Sequence, residues 1–256
     1  METVSQFESV MTDARLRQGY VIVLPGIEGT SWLNRRIVQG LLDANVPYAI
    51  EIHDWTCQWP HFLFNLRSRR LHETQALQIA GKITDYQLAW PDRPVYLIGH
   101  SGGGAMSLKT LEMLPFGKSI SGAVLLGAAM SPRYDLRAAL QHVDRKIWNF
   151  SSWGDFLFLG AFTCLAGTVD GRNCPSAGMI GFQCRSLCRE ERERYQEMPY
   201  RLTYSRDMHL AGHFGFTSRG FICNTVAPLL LSCPLPEAVP DQDQTDCRQL
   251  LSTALA

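Results

Sequence analysis

The chain has 256 residues, 46% of them hydrophobic and 10% aromatic, which is enough to bury one substantial core. Its 24 basic and 24 acidic residues cancel, so it lacks the positive footprint that nucleic acid or an anionic membrane surface requires, and an uncharged or modestly charged ligand fits better. No run reaches the ~20 apolar residues of a membrane-spanning helix, and Met1 to Tyr20 carries Glu2, Glu8, Asp13, Arg15 and Arg17 with no apolar stretch of signal-peptide length, so a soluble, cytoplasmic protein is expected.

Apolar runs bounded by turn residues alternate with helical patterns along the chain. That alternation predicts a three-layer α/β/α sandwich, with helices on both faces of a mainly parallel sheet. The first strand is Tyr20 to Leu24, ending at Pro25-Gly26. Thr30 or Ser31 caps a helix running to about Ala44. Val46 to Ile52 reads as the second strand, and Arg67 to Trp90 as a long amphipathic helix. Val95 to Ile98 is a third strand, followed by a helix from Gly102 to about Leu114 that Pro115 stops. Gly122 to Leu126 and Arg145 to Phe150 are further strands, Arg201 to Tyr204 is the last, and a helix follows from about Ser218 to Leu230.

Residues 1–233 are expected to form one domain. Within it, 156–199 runs from apolar to Cys/Gly-rich to charged, and reads as a lid or insertion. Residues 234–256, proline-containing and polar at their start, read as a poorly ordered tail. The eight cysteines are expected as reduced thiols in a cytoplasmic chain, with a local disulfide or metal site among the four from Cys164 to Cys188 as the alternative. The spacing of His53, Cys57 and His61 would suit a metal only on a helix, whereas Trp55, Trp59 and Pro60 argue for a loop; no metal is expected.

Gly99-His100-Ser101-Gly102-Gly103 lies directly between the third strand and the helix after it. This is the context of a nucleophile elbow, where a serine sits on a strained strand-to-helix turn and its neighbours must be small. His100 is expected to point away from the nucleophile and serve packing. No G-K-[ST] or G-x-G-x-x-G phosphate pattern accompanies the motif, and no cofactor is expected.

A serine hydroxyl is a poor nucleophile until a base and an orienting acid accompany it. Asp155 follows the strand ending at Phe150, in a small-residue loop. His213 lies between Gly212 and Gly215, after the last predicted strand. Asp135 is a rival for the acid and His209 a rival for the base.

With Ser101, Asp155 and His213 in that chain order, the sequence resembles the α/β-hydrolase superfamily, in particular its small lipases and esterases, from about Tyr20 to Leu231. It begins at what would be the family's third strand, so the resemblance implies a sheet shortened at the N-terminus. Leu24-Pro25-Gly26-Ile27-Glu28-Gly29 resembles the family's oxyanion loop, with Pro25 where histidine is common. The resemblance then implies an oxyanion hole built from the amides of Ile27 and Gly102, beside which the Glu28 carboxylate is awkward unless it points away.

The implied activity is hydrolysis of a carboxylic ester, small or lipid-like, through an acyl-enzyme. Acyl transfer and thioester hydrolysis would use the same residues, and a non-catalytic binding protein of the same fold is the alternative from another class. Phe156 to Phe162, just after the acid, reads either as acyl-pocket wall or lid, or as a helix packed on the sheet. Trp32, Trp55 and Trp59 are further pocket candidates. Oligomeric state is not legible.

Overall fold

A computed structural model describes residues 10–57 and 61–232. Trp59, Pro60 and the proposed 234–256 tail lie outside the described residues.

The sheet forms from the apolar runs. β1 (Tyr20–Leu24), β2 (Ala49–Ile52), β3 (Val95–His100), β4 (Ile120–Leu126), β5 (Val143–Ser151) and β6 (Tyr195–Pro199) lie in the order β2-β1-β3-β4-β5-β6. Every pairing is parallel. β1, β3 and nearly all of β4 are buried along their whole length, as central strands covered on both faces must be.

Alternation along β1 separates the two cores. Tyr20, Ile22 and Leu24 face a core shared with Ile79 and Ile83 of one helix and Leu108 and Leu111 of another. Val21 and Val23 face a core shared with Ile37, Leu41, Phe221, Ile222 and Leu230. Taken in chain order, a short α1 (Asp13–Leu16) precedes β1, α2 (Trp32–Asp43) follows it, α3 (Phe62–Arg67) and α4 (Arg69–Ala89) lie between β2 and β3, and α5 (Gly102–Glu112) follows β3. The expected three-layer α/β/α sandwich is therefore the observed architecture.

Four boundaries differ from expectation for identifiable reasons. Pro47 has no amide to donate, so β2 pairs only from Ala49, although Val46 and Tyr48 are buried. The long helix starts at Arg69 instead of Arg67, because Ser68, with an extended ψ of 92°, ends the separate α3 and its hydroxyl accepts from the Leu71 amide at 3.3 Å to cap α4. The last strand is Tyr195–Pro199 instead of Arg201 to Tyr204. Its residues are half-buried at a sheet edge and show no apolar run, while Leu202–Asp207 coils as a 3₁₀ helix. The C-terminal helix from Arg219 to Leu231 includes a π-helical stretch, Ile222–Val226, directly before Pro228 in its first α-turn beyond.

The strand order reverses direction between β1 and β3. In an open parallel sheet, the crevice beyond the carboxyl ends of two such strands is where ligands bind. The loops after β1 and β3 carry Ile27 and Ser101.

Candidate active site

Ser101 leaves β3 with φ 54° and ψ −115°, a conformation an L-residue adopts only under constraint. The constraint is visible in its backbone partners. Its amide donates to Leu126 O at 2.9 Å and its carbonyl accepts from Gly104 N at 3.1 Å and Ala129 N at 3.0 Å. A Cβ on Gly99 would stand 2.1 Å from Gly103 O, and one on Gly103 would stand 2.1 Å from Leu24 O. The flanking glycines are thus demanded by backbone contacts on either side of the turn.

Ser101 and His213 line one cavity of about 430 Å³, whose walls include Ile27, Leu33, Phe158 and Phe162. The Ser101 hydroxyl makes no hydrogen bond to His213 or to any other described residue. A second cleft, of about 480 Å³, lies between 91–95 and 117–121 at the amino ends of β3 and β4 and contains none of these residues.

His213 begins a 3₁₀ turn, His213–Thr217, and donates from Nδ1 to Asp155 Oδ2 at 2.5 Å. Asp155 is itself buried. Its amide donates to Ser152 O at 3.1 Å, and its Oδ1 accepts from the Leu159 amide at 3.4 Å at the start of the π-helical segment Phe156–Phe162. A carboxylate held this way only accepts, so it fixes Nδ1 of the imidazole as the protonated nitrogen and leaves Nε2 free to take a proton. Phe158 stacks on the imidazole at 4.9 Å, which brings the segment after Asp155 into the cavity wall, while its Leu159 is fully buried. Both readings of Phe156 to Phe162, wall and packed helix, therefore describe part of it.

The rival residues lie elsewhere. His209 is wholly buried among Tyr200, Tyr204, Phe216 and Phe221, and is not in the cavity wall. Asp135 is exposed and pairs with Arg137 at 2.5 Å.

Ile27 comes close to the turn at Ser101 because Gly102 has no side chain. A Cβ there would lie 2.8 Å from Ile27 Cγ2 and 3.3 Å from its amide nitrogen. Among the described residues, neither the Ile27 nor the Gly102 amide donates a hydrogen bond within the protein. The loop is held from behind by two side chains. Trp55 Nε1 donates to Pro25 O at 2.8 Å, and Asn65 Nδ2 donates to Ile27 O at 2.9 Å and to Cys57 O at 2.8 Å. Asn65 was not among the expected site residues; nothing in its local sequence distinguishes it, and its role comes from tertiary contact alone.

Two expectations need correction. His100 does not point away: it lines the same cavity, its ring lies 4.7 Å from the His213 ring, and its Nε2 meets His213 O at 3.3 Å. Burial, together with any positive charge on His213, holds His100 far below its ordinary pKa and therefore neutral. Glu28 also lines the cavity. Its carboxylate folds back over Gly26, where loss of hydration raises its pKa, against the pull of the Glu28 and Gly26 amides and of His213.

Of the tryptophan candidates, Trp55 backs the loop and Trp32 is exposed; neither is in the cavity wall. Among the described residues no three His, Cys, Asp or Glu side chains converge as metal ligands, the six cysteines are unpaired, and no helix is long and apolar enough to cross a membrane.

Among solved structures, the chain is similar to a dienelactone hydrolase from Anabaena variabilis, with 16% identity, 88% of this chain and 90% of that one covered, and a TM-score of 0.51. It is also similar to a poly(3-hydroxybutyrate) depolymerase from Bordetella parapertussis, with 13% identity, 89% and 84% covered, and a TM-score of 0.50. These likenesses concern the fold. No curated protein sequence matches. A family model described as alpha/beta hydrolase fold matches residues 19–162, more than half of the chain and the whole stretch from β1 through the elbow to the segment after Asp155. The chain belongs to the α/β-hydrolase family.

Proposed function

We propose that the chain is a serine hydrolase that cleaves carboxylic esters, with Ser101 as nucleophile, His213 as general base and acid, and Asp155 as the orienting carboxylate. The observation that carries this reading is the buried Asp155–His213 hydrogen bond beside Ser101 in one shared cavity. In the mechanism, Ser101 Oγ comes within hydrogen-bond reach of His213 Nε2 on substrate entry, a contact that is often long before substrate binds. His213 takes the proton as Oγ attacks the acyl carbon. Asp155 stabilises the imidazolium, and the amides of Ile27 and Gly102 receive the oxyanion. His213 then protonates the departing alcohol and activates the water that hydrolyses the acyl-enzyme. No step calls for a cofactor, and the apolar wall favours a small-molecule or lipid-like acyl group.

The test is hydrolysis of p-nitrophenyl esters of increasing acyl length by the wild type and by Ser101→Ala. A loss of at least about a thousandfold in the variant is expected. Folded wild-type protein that neither cleaves any of the esters nor is labelled at Ser101 by a phosphonate would refute the reading.

A further inference from the structure

The cavity wall contains one carboxylate, Glu28, set among four phenylalanines: Phe62, Phe158, Phe162 and Phe214. Glu28 stands at the solvent-exposed rim of that cavity, and on the cavity side the apolar wall leaves its charge less screened than in open water. Aromatic faces carry negative potential, and together with a carboxylate they form the kind of enclosure that attracts a cation. Phe158 stands between the His213 ring, at 4.9 Å, and the Phe214 ring, at 5.4 Å, so this aromatic wall begins beside the proposed base.

We propose that this cavity selects esters carrying a cationic group, a quaternary ammonium or protonated amine near the scissile bond, with Glu28 as its counter-charge. The proposal rests on the serine-esterase reading and specifies its substrate class.

The surroundings of Glu28 leave that role open to a ligand. Among the described residues no lysine or arginine forms an ion pair with it, and besides the Glu28 and Gly26 amides the groups acting on its carboxylate are His213, which lines the same cavity, and Asp54 after β2. Asp54 accepts from Thr56 Oγ1 at 2.7 Å and from Thr30 N at 2.9 Å. Those bonds outweigh its partial burial and keep it ionised, so the second carboxylate adds negative potential on the same side. His213 is neutral when it acts as base. A cationic substrate then supplies the positive charge that the site itself lacks.

The test compares two butyrate esters of nearly identical shape, one of choline and one of its neutral carbon analogue 3,3-dimethylbutanol. The wild type is expected to prefer the choline ester by about tenfold or more in kcat/KM at pH 8, and Glu28→Gln to bring the ratio to within about twofold of one. The preference also shrinks as pH falls and Glu28 protonates. A ratio near one in the wild type, or one that Glu28→Gln leaves unchanged, overturns the proposal.

Where neither ester is turned over, calorimetric titration with tetramethylammonium chloride decides: binding that Glu28→Gln weakens about tenfold supports the proposal, and no binding overturns it. Failure of the hydrolase reading is seen separately, as the absence of Ser101-dependent p-nitrophenyl ester cleavage.

Discussion

His209 provides a direct test of how this fold responds to acid. Its ring is fully buried in an aromatic cage, with Phe216 at 4.6 Å, Phe221 at 4.7 Å and Tyr200 at 5.2 Å, and neither ring nitrogen has a hydrogen-bond partner. Burial pushes its pKa from the ordinary 6.5 down to about 4. Between those values the unfolded chain binds a proton that the native chain does not, so stability is complete above pH 6.5 and falls as pH drops toward 4. At one pKa unit per 1.36 kcal/mol, the loss from this group is about 2 kcal/mol at pH 5 and about 3 kcal/mol at pH 4. His100 and His72 are also held below their ordinary values by burial and lose stability in the same direction, so the readout is a difference between proteins. In urea unfolding of the wild type and His209→Phe, the variant should be about as stable at pH 7.5, or slightly more so, since it removes an unpaired buried N–H. Its advantage should then grow by about 2 kcal/mol on going to pH 5. A difference that stays flat between those pH values would refute the argument that His209 is buried neutral.

Other substitutions test the site and its frame. Asp155→Asn should leave the fold intact and lower kcat by about 10³–10⁴-fold, since the amide can hold the wrong imidazole tautomer; a loss under tenfold in the p-nitrophenyl ester assay would remove Asp155 from the proposed triad. Gly103→Ala places a methyl group 2.1 Å from Leu24 O and 2.5 Å from Pro25 O, both backbone, and should cost about 3 kcal/mol or more in urea unfolding. Gly81→Ala, in the middle of α4 with nothing within 4 Å of the added methyl, should instead stabilise by about 0.5–1 kcal/mol; if the two alanines behave alike, steric demand at the elbow is the wrong account. Asn65→Ala releases the Ile27 carbonyl and should lower kcat by about tenfold or more with a smaller change in KM, whereas a purely structural role would lower thermal stability and leave kcat in place.

The strands most plainly legible in the sequence are the central ones, whose burial is complete or nearly so. Val95-Tyr96-Leu97-Ile98 and Gly122 to Leu126 carry their assignment in composition, because a strand covered on both faces has no exposed side to fill with polar residues. β6 had no such signature. Its Tyr195-Gln196-Glu197-Met198-Pro199 is held by β5 and by Glu197, which accepts from Asn149 Nδ2 at 3.0 Å and Ser151 Oγ at 2.5 Å, and those partners lie 46 and 48 residues away in the chain. The elbow was legible for a steric reason, since only glycine fits at residues 99 and 103. His100 was misplaced because the strand's alternation says which face a residue takes, but not which loop returns to meet it there, and here the loop is the one that carries His213.

The geometry around Ser101 also explains why so much of the fold converges on one turn. A φ of 54° at a serine costs about 1–3 kcal/mol, and it persists only where the surroundings over-determine it. Here β4 supplies Leu126 O, the chain beyond β4 supplies Ala129 N, and β1 presents Leu24 O and Pro25 O against Gly103. Three consecutive neighbours in the sheet thus set the conformation of Ser101 at the strand-order reversal. The loop after β1 that crowds Gly103 also carries Ile27 against Gly102. Ser101 and the Ile27 and Gly102 amides therefore share one rigid frame, and a change that relaxes the turn should displace them together.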